Sequence, residues 1–221
     1  MKYLSDIIGL TGPACSGKDT VADLLVAHAG FTKIAFADTL RTEIALAYAI
    51  DLSFLTQRET KEMPMRCLAL SRCLDKGFIT RIRIMHKLKD EPLNLDTPRS
   101  PRQIMQWWGT DYRRHQRGDY WVSVTHSRIS DLLSQRIARR IVVTDIRFFD
   151  EADLVRRTLS GQLWQIERDG IDIAKGSHIS ETTGSAFRPD VVINNSHSIG
   201  HLQARVLEAL EPGSPRVRVA V

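Results

Sequence analysis

Residues 12–20 read Gly-Pro-Ala-Cys-Ser-Gly-Lys-Asp-Thr and directly follow the apolar run Ile-Ile-Gly-Leu at residues 7–10. This pattern predicts a strand, then a glycine-rich loop with lysine after its last glycine, then a helix. That order is typical of sites that surround nucleotide phosphates. The glycines allow consecutive N–H groups to converge on an anion at a helix N-terminus, and the lysine adds a full positive charge. A glycine-rich loop without function is the alternative. The predicted cofactor-binding residues of this loop are Gly12, Ala14, Cys15, Ser16, Gly17, Lys18, Asp19 and Thr20.

One position departs from the commonest form of this loop. Asp19 stands where Ser or Thr would contact Mg²⁺, and Thr20 follows it. A carboxylate beside a triphosphate repels it unless Mg²⁺ or its waters lie between them. Asp19 is therefore either a magnesium ligand through water, or a residue turned away from the phosphates and favoured in the first turn by the helix dipole. The sequence leaves both interpretations open.

Five apolar runs, mostly separated by helical patterns, indicate the fold. Strands that alternate with helices along the chain are typical of a parallel sheet. Because each run is continuously apolar and does not alternate apolar with polar residues, helices are expected to cover both faces of the sheet. The predicted fold class is α/β, a three-layer α/β/α sandwich formed as a single domain over residues 1–221. The long segment over residues 39–139, between the second and third runs, is predicted to be a helical insertion. It is expected to bind the substrate that accepts a phosphoryl group, called the acceptor below. The runs cover residues 7–10, 33–37, 141–144, 163–166 and 191–193.

Helical spacing of apolar residues also predicts which helix faces point inward. The first such helix should end at Gly30, and Ser100 should cap a helix that begins at Pro101. The inward residues are predicted to be Val21, Leu24, Leu25 and His28 in the first helix, Val122, Ile129, Leu132, Leu133 and Ile137 after Asp119, and Ile199, Leu202, Val206 and Leu210 in the last helix.

The apolar run at residues 141–144 ends in an acid, Asp145, with Arg147 two positions later. Ligands bind at the carboxyl ends of the strands in sheets of this type, so Asp145 should project toward the phosphate site and hold either magnesium through water or an acceptor group. A carboxylate that only caps the next turn is the structural alternative. Arg147 supplies the fixed positive charge that phosphoryl transfer needs. Lys18, Arg147 and Asp145 are the catalytic candidates.

Residues 102–121 combine arginines, amides and aromatic rings within a short stretch. Each aromatic residue taken singly, Trp121 included, is expected in the core. Together with Arg102, Gln106 and Arg114, they supply an anion clamp, a hydrogen-bonding amide and stacking surfaces, which a nucleotide acceptor site requires.

The chain resembles the phage-type deoxynucleoside monophosphate kinases, relatives of adenylate kinase. The matching segments are residues 12–20, 36–41, 102–121, 144–148 and 180–181. The resemblance implies a P-loop kinase sheet and ATP-dependent phosphorylation of a deoxynucleoside monophosphate to the diphosphate, with Mg²⁺. It also implies that Asp38 and Arg41 lie in the acceptor subdomain and Arg147 beside the transferred phosphate. The base and the sugar of the acceptor are left open.

Basic residues between glycines make residues 168–188 resemble a lid, with Arg168 or Lys175 over the phosphates. Closure would exclude water, which otherwise wastes ATP by hydrolysis. A surface loop with incidental charge is the alternative. No catalytic base is assigned, because the acceptor phosphate is already anionic and positioning with charge neutralisation can carry the reaction.

Composition limits the remaining choices. The chain has 31 Lys and Arg against 26 Asp and Glu and only three cysteines, so polyanionic ligands suit it and disulfides or zinc are not indicated. A signal peptide and membrane spans are not expected, which predicts a cytoplasmic protein. The basic segment 66–89 favours a solvated helix face over a nucleic-acid site. The alternatives kept are a phosphomevalonate or dephospho-coenzyme A kinase, or a DNA-associated ATPase; a homodimer is left open.

Overall fold

The computed structural model describes residues 6–57, 59–170 and 188–211. Its sheet has five parallel strands in the order β2-β3-β1-β4-β5. The predicted parallel α/β sandwich is confirmed, except that the second apolar run stops early, because Phe36 already begins a helix. The strands are β1 (Asp6–Thr11), β2 (Thr32–Ile34), β3 (Arg140–Val143), β4 (Gln162–Glu167) and β5 (Val191–Asn194).

The described elements between β2 and β3 are helical. Ser100 Oγ accepts from the Gln103 N–H at 3.2 Å, and Pro101 occupies the first turn, as the sequence predicts. The α-helices are α1 (Lys18–Ala29), α2 (Phe36–Tyr48), α3 (Ser53–Thr56), α4 (Lys76–Leu88), α5 (Pro101–Gln106), α6 (Tyr120–Ser134), α7 (Phe149–Asp153) and α8 (Ile199–Ala209). Wider π-helical turns continue α5 over Trp107–Arg114 and α7 over Leu154–Thr158, and short 3-10 turns cover Arg66–Leu68 and Leu70–Arg72.

The chain divides into two compact units. Unit 1 contains the sheet and consists of the described residues up to Phe36 and from Thr125 onward, while unit 2 consists of those within Ala37–Val124. None of the helices in the described ranges combines the length and the hydropathy needed to cross a bilayer.

The sheet of unit 1 is buried on both faces. On one face, α1 and α8 cover a core that includes Leu10 and Trp164, each without exposed surface. On the other face, Gly9 lies so close to its neighbours that an added Cβ would be 2.9 Å from Leu163 Cδ2 and 3.2 Å from Val155 Cγ2. Burial on both faces explains why the strands read as apolar runs and not as alternating patterns.

Most inward faces predicted from helical spacing are confirmed, with three corrections. His28 is exposed in the last turn of α1, where a polar ring near the helix C-terminus can stay in water. Ile137 is exposed because α6 ends at Ser134, so helical spacing no longer applies to it. Ile199, the first residue of α8, is also exposed.

Helix α4 (Lys76–Leu88) contains the second half of the basic segment 66–89. Phe78 and Ile82 are fully buried and Met85 is partly buried, whereas Arg83 and Lys87 are exposed. This arrangement agrees with a solvated helix face that has its apolar side turned inward.

Candidate active site

The loop that follows β1 has the backbone conformation of an anion-binding turn. Gly12, Cys15 and Gly17 have φ of 131°, 63° and 101°, so three residues of the loop lie in the left-handed region. A Cβ added at Gly12 would overlap the Ile166 carbonyl oxygen, and one added at Gly17 would overlap Asn195 Nδ2. Both glycines are therefore required by conformation and by close approach, and the loop leads directly into the N-terminus of α1.

Lys18 is held against this loop. Its Nζ donates to the Gly12 carbonyl at 2.9 Å and to the Pro13 carbonyl at 2.6 Å. Burial lowers the pKa of Lys18, and the positive charge of Arg147 acts in the same direction, while Asp19 and Asp145 act in the opposite one. These four predicted site residues therefore share one electrostatic environment in unit 1, at the carboxyl ends of β1 and β3.

The remaining loop residues differ in exposure. Ser16 has no exposed surface, and its Oγ has no hydrogen-bond partner within the part of the chain that the structure describes. Ala14, Cys15 and Thr20 are exposed. A buried hydroxyl without a partner inside a loop of this conformation is a donor suited to an anionic ligand.

Asp19 forms an ion pair with Lys33, whose Nζ lies 3.1 Å from Asp19 Oδ1 and 3.0 Å from Asp23 Oδ1. Burial alone would lower the pKa of Lys33, but the hydrogen bonds to Asp23 and Asp19 raise it. The Asp19 carboxylate is thus directed toward Lys33 of β2.

Asp145 and Arg147 are placed by backbone hydrogen bonds. Asp145 Oδ1 accepts from the Phe36 N–H at 2.8 Å, so one carboxylate oxygen holds the start of α2. Arg147 is exposed, and its N–H donates to Glu151 Oε2 at 2.8 Å, while the Phe148 N–H donates to the same oxygen at 3.1 Å. The buried Glu151 therefore fixes the backbone that carries the Arg147 guanidinium.

Arg168, the predicted lid residue nearest the sheet, directly follows β4 and is exposed. The next residue, Asp169, donates its N–H to Ser196 Oγ at 2.8 Å. Lys175 and the rest of the predicted lid up to residue 187 lie outside the described residues.

The predicted acceptor residues belong to unit 2 and differ in their surroundings. Asp38 and Arg41 form an ion pair with an Oδ1 to Nη1 distance of 3.4 Å, and Arg41 Nε is buried with no partner among the described residues. Arg114 Nη1 donates to the Gly118 carbonyl at 3.4 Å, and Gln106 is half-buried.

Two other acceptor candidates have structural partners. Arg102 Nε donates to Glu62 Oε1 in an ion pair. Trp121 is 5% exposed, and its indole N–H donates to the Gly109 carbonyl at 3.0 Å. Trp121 therefore occupies the core position that the sequence suggests for each aromatic residue taken singly.

Glu43 organises the aromatic stretch of unit 2. Its Oε2 accepts from Trp108 Nε1 and from Arg113 Nε, each at 2.8 Å, and its Oε1 accepts from the Tyr120 hydroxyl. The Arg113 guanidinium also lies over the rings of Tyr112 and Tyr120, 4.8 Å and 5.1 Å from their centroids. One carboxylate thus joins α2 to the π-helical segment and to α6, and fixes an arginine between aromatic faces.

We expect Glu43→Ala to destabilise the protein by about 3 kcal/mol, because it leaves a mostly buried guanidinium and two ring donors without their acceptor. Urea denaturation measures this change. Glu62→Ala is the matched control, since Glu62 also pairs with an arginine of unit 2 but its side chain is 65% exposed against 18% for Glu43. The control should cost less than about 1 kcal/mol. Equal losses in the two variants would contradict a structural role for Glu43.

The sequence interpretation misses Glu43, Glu151 and Asn195. Glu43 and Glu151 lie in helices among other charged residues, and no local pattern distinguishes them. Asn195 does carry a signal, because the polar pair Asn194 and Asn195 follows the apolar run at residues 191–193. The rule that selects polar residues at strand ends therefore points to Asn195 as well.

The chain is similar to several known proteins. The family model for deoxynucleotide monophosphate kinase matches residues 52–206. A protein of Acanthamoeba polyphaga mimivirus, named "Putative deoxynucleotide monophosphate kinase", is 26% identical over 222 residues, which span 94% of this chain and 97% of that protein.

Similar solved structures include two bacterial proteins. TT1252 from Thermus thermophilus is 17% identical with a TM-score of 0.46, over 93% of this chain and 95% of that one. Dephospho-CoA kinase from Campylobacter jejuni is 12% identical with a TM-score of 0.43, over 92% of this chain and 94% of that one.

The parallel sheet, the glycine-rich loop after β1 and Lys18 at the head of α1 are the features of a P-loop phosphotransferase. The resemblance inferred from the sequence is confirmed by the family match. The chain belongs to the deoxynucleotide monophosphate kinase family and is a kinase.

Proposed function

We propose that this kinase transfers the γ-phosphoryl group of ATP to a deoxynucleoside monophosphate and releases ADP and the deoxynucleoside diphosphate. The observation that carries the proposal is the position of Lys18. Its ammonium group is fixed on the carbonyls of a loop whose backbone angles and helix N-terminus suit phosphate. Membership of the family supports the choice of acceptor.

ATP phosphates would be held by the N–H groups of residues 12–18, by the Ser16 hydroxyl and by Lys18. The unpartnered, buried Ser16 Oγ fits such a ligand. Arg168 at the end of β4 is proposed as a further contact, within a lid that covers residues 168–188. The whole chain is proposed to act as one kinase domain.

Mg²⁺, when bound, would neutralise charge on the phosphates. Of the two predicted magnesium residues, we favour Asp145, because it follows the carboxyl end of β3, whereas Asp19 is paired with Lys33. The ion pair between Asp19 and Lys33 supports an outward orientation of Asp19.

For the acceptor, we propose residues of unit 2. Arg41 has a buried Nε that awaits a partner, and Arg114 and Gln106 offer a guanidinium and an amide. Asp38 orients Arg41 through their ion pair. Arg102 is paired with Glu62, so it would have to release the Glu62 carboxylate in order to bind an acceptor phosphate.

Product analysis tests this function. The protein is incubated with ATP, Mg²⁺ and each of the common deoxynucleoside and ribonucleoside monophosphates, and the nucleotides are separated by chromatography. We expect a diphosphate and ADP in equal amounts for at least one deoxynucleoside monophosphate. Dephospho-coenzyme A and phosphomevalonate are included as acceptors, and DNA as an activator. Turnover of only these two acceptors, or ATP hydrolysis that DNA stimulates without any diphosphate product, would contradict the proposal.

A further inference from the structure

Asn195 connects the end of β5 to the glycine-rich loop. Its N–H donates to the Glu167 carbonyl at 2.7 Å, which continues the pairing of β4 with β5 by one residue. Its side-chain Nδ2 donates to the Ser16 carbonyl at 2.9 Å. The backbone of Asn195 is therefore fixed by the sheet, and its side-chain amide group is fixed by the loop.

The same amide group lies against Gly17. A Cβ built on Gly17 would overlap Asn195 Nδ2, so the asparagine occupies the space that a side chain at residue 17 would need. Gly17 has a φ of 101°, a conformation that L side chains rarely adopt. The close approach of Asn195 and the left-handed backbone of Gly17 are thus parts of one arrangement.

The hydrogen bond sets the direction of a peptide group. The peptide bond between Ser16 and Gly17 is trans, as are all those described. In a trans peptide the carbonyl and the N–H point in opposite directions. Because Asn195 holds the Ser16 carbonyl, the Gly17 N–H points away from Asn195 and cannot rotate toward it without breaking this bond.

On the basis of the function proposed above, we propose that Asn195 is a positioning residue for phosphate binding. It orients the Ser16–Gly17 peptide so that the Gly17 N–H is aimed at the ATP phosphates before ATP arrives. A donor that is already oriented costs no reorganisation when the anion binds. Asn195 itself acts through the loop and contacts no reacting atom.

The test compares Asn195→Asp and Asn195→Ala with the wild-type protein by isothermal titration calorimetry. Two probes are used: ATP, and inorganic tripolyphosphate, which has neither base nor sugar. Loss of one hydrogen bond that preorganises the loop should weaken both ligands by about tenfold in Asn195→Ala. Asn195→Asp keeps the side-chain volume but places a carboxylate beside the Ser16 carbonyl, so its loss should be larger.

Asn194→Ala is the matched control, because Asn194 is the exposed neighbour whose Oδ1 accepts from the Ser196 N–H at 2.8 Å. It should bind both probes as the wild-type protein does. The KM for ATP should rise in the Asn195 variants while the KM for the monophosphate stays unchanged. Thermal denaturation of every variant accompanies the titrations, and affinities are referred to the folded fraction.

Two results would overturn the proposal. The first is that the Asn195 variants bind both probes as Asn194→Ala does. Phosphate binding would then not depend on the hydrogen bond from Asn195 to the loop, whether or not the melting temperature of the variants falls. Weaker binding of ATP with unchanged binding of tripolyphosphate would mean that Asn195 contacts the base or sugar. A wild-type protein that binds neither probe would instead contradict the proposed function itself, so the two failures are distinguishable.

Discussion

Lys18→Ala is expected to abolish phosphoryl transfer, with kcat reduced by at least about a thousandfold. Lys18 supplies the full positive charge of the glycine-rich loop, and no neighbouring lysine of α1 can replace it, because Lys18 is the only lysine between residues 3 and 32. Its Nζ is already fixed by the Gly12 and Pro13 carbonyls, so the charge stands at the loop. The measurement is the rate of diphosphate formation at saturating ATP and monophosphate.

The fold should survive this change. Only the two hydrogen bonds from Nζ to loop carbonyls are lost, and burial already lowers the pKa of Lys18, so its removal relieves a desolvated charge. Circular dichroism and thermal denaturation should therefore match those of the wild-type protein. Lys87→Ala, which removes an exposed lysine from α4, controls for the loss of one positive charge and should retain full activity. Retained turnover in a folded Lys18→Ala protein would exclude this loop as the donor site.

Arg147→Ala is expected to lower kcat by about a thousandfold, as removal of an arginine that stabilises transferring phosphate does. The guanidinium is exposed, but its backbone is fixed by Glu151, and its charge acts on Lys18. Because the interaction develops with the transition state, kcat should fall more than the affinity for ATP. Arg147→Lys keeps the charge without the planar fork and should recover only part of the rate.

Arg157→Ala is the matched control for Arg147. Arg157 is also an arginine of unit 1 in the segment after β3, and it forms an exposed ion pair with Asp153 at 3.3 Å. Its removal should leave kcat within about twofold, since exposed pairs contribute little. An unchanged rate in Arg147→Ala would remove this residue from the active site and leave Lys18 as the candidate for transition-state charge.

The glycine-rich loop and the strands could be predicted from the sequence because their signals are local. Gly12, Gly17 and Lys18 lie within one turn of chain, and each strand is a short apolar run made continuous by burial on two faces. The position of Asp145 after a strand is enough to select it from the sequence. Its hydrogen bond to the Phe36 N–H could not be predicted, because the partner lies 109 residues away.

The roles of Glu43 and Asn195 depend on such distant partners. Glu43 meets Trp108, Arg113 and Tyr120 at separations of 65, 70 and 77 residues, and Asn195 meets the Ser16 carbonyl at 179. No spacing rule connects residues that only the folded chain brings together. The burial of Trp121 agrees with the expectation for each aromatic residue taken singly, but its hydrogen-bond partner could not be predicted, because the Gly109 carbonyl lies in the π-helical segment, where regular helical spacing no longer applies.

The strand order has a consequence for synthesis on the ribosome. Among the described strands β1 comes first along the chain, yet both of its neighbours come late: its residue Asp6 pairs with Arg140, and Ile8 pairs with Gln162. During synthesis, the backbone hydrogen-bonding groups on both edges of β1 therefore stay unpaired until most of the polypeptide has emerged. The intervening helices rely on shorter-range contacts and can assemble meanwhile, which makes the closing of the sheet the late, slow step and the period most exposed to aggregation.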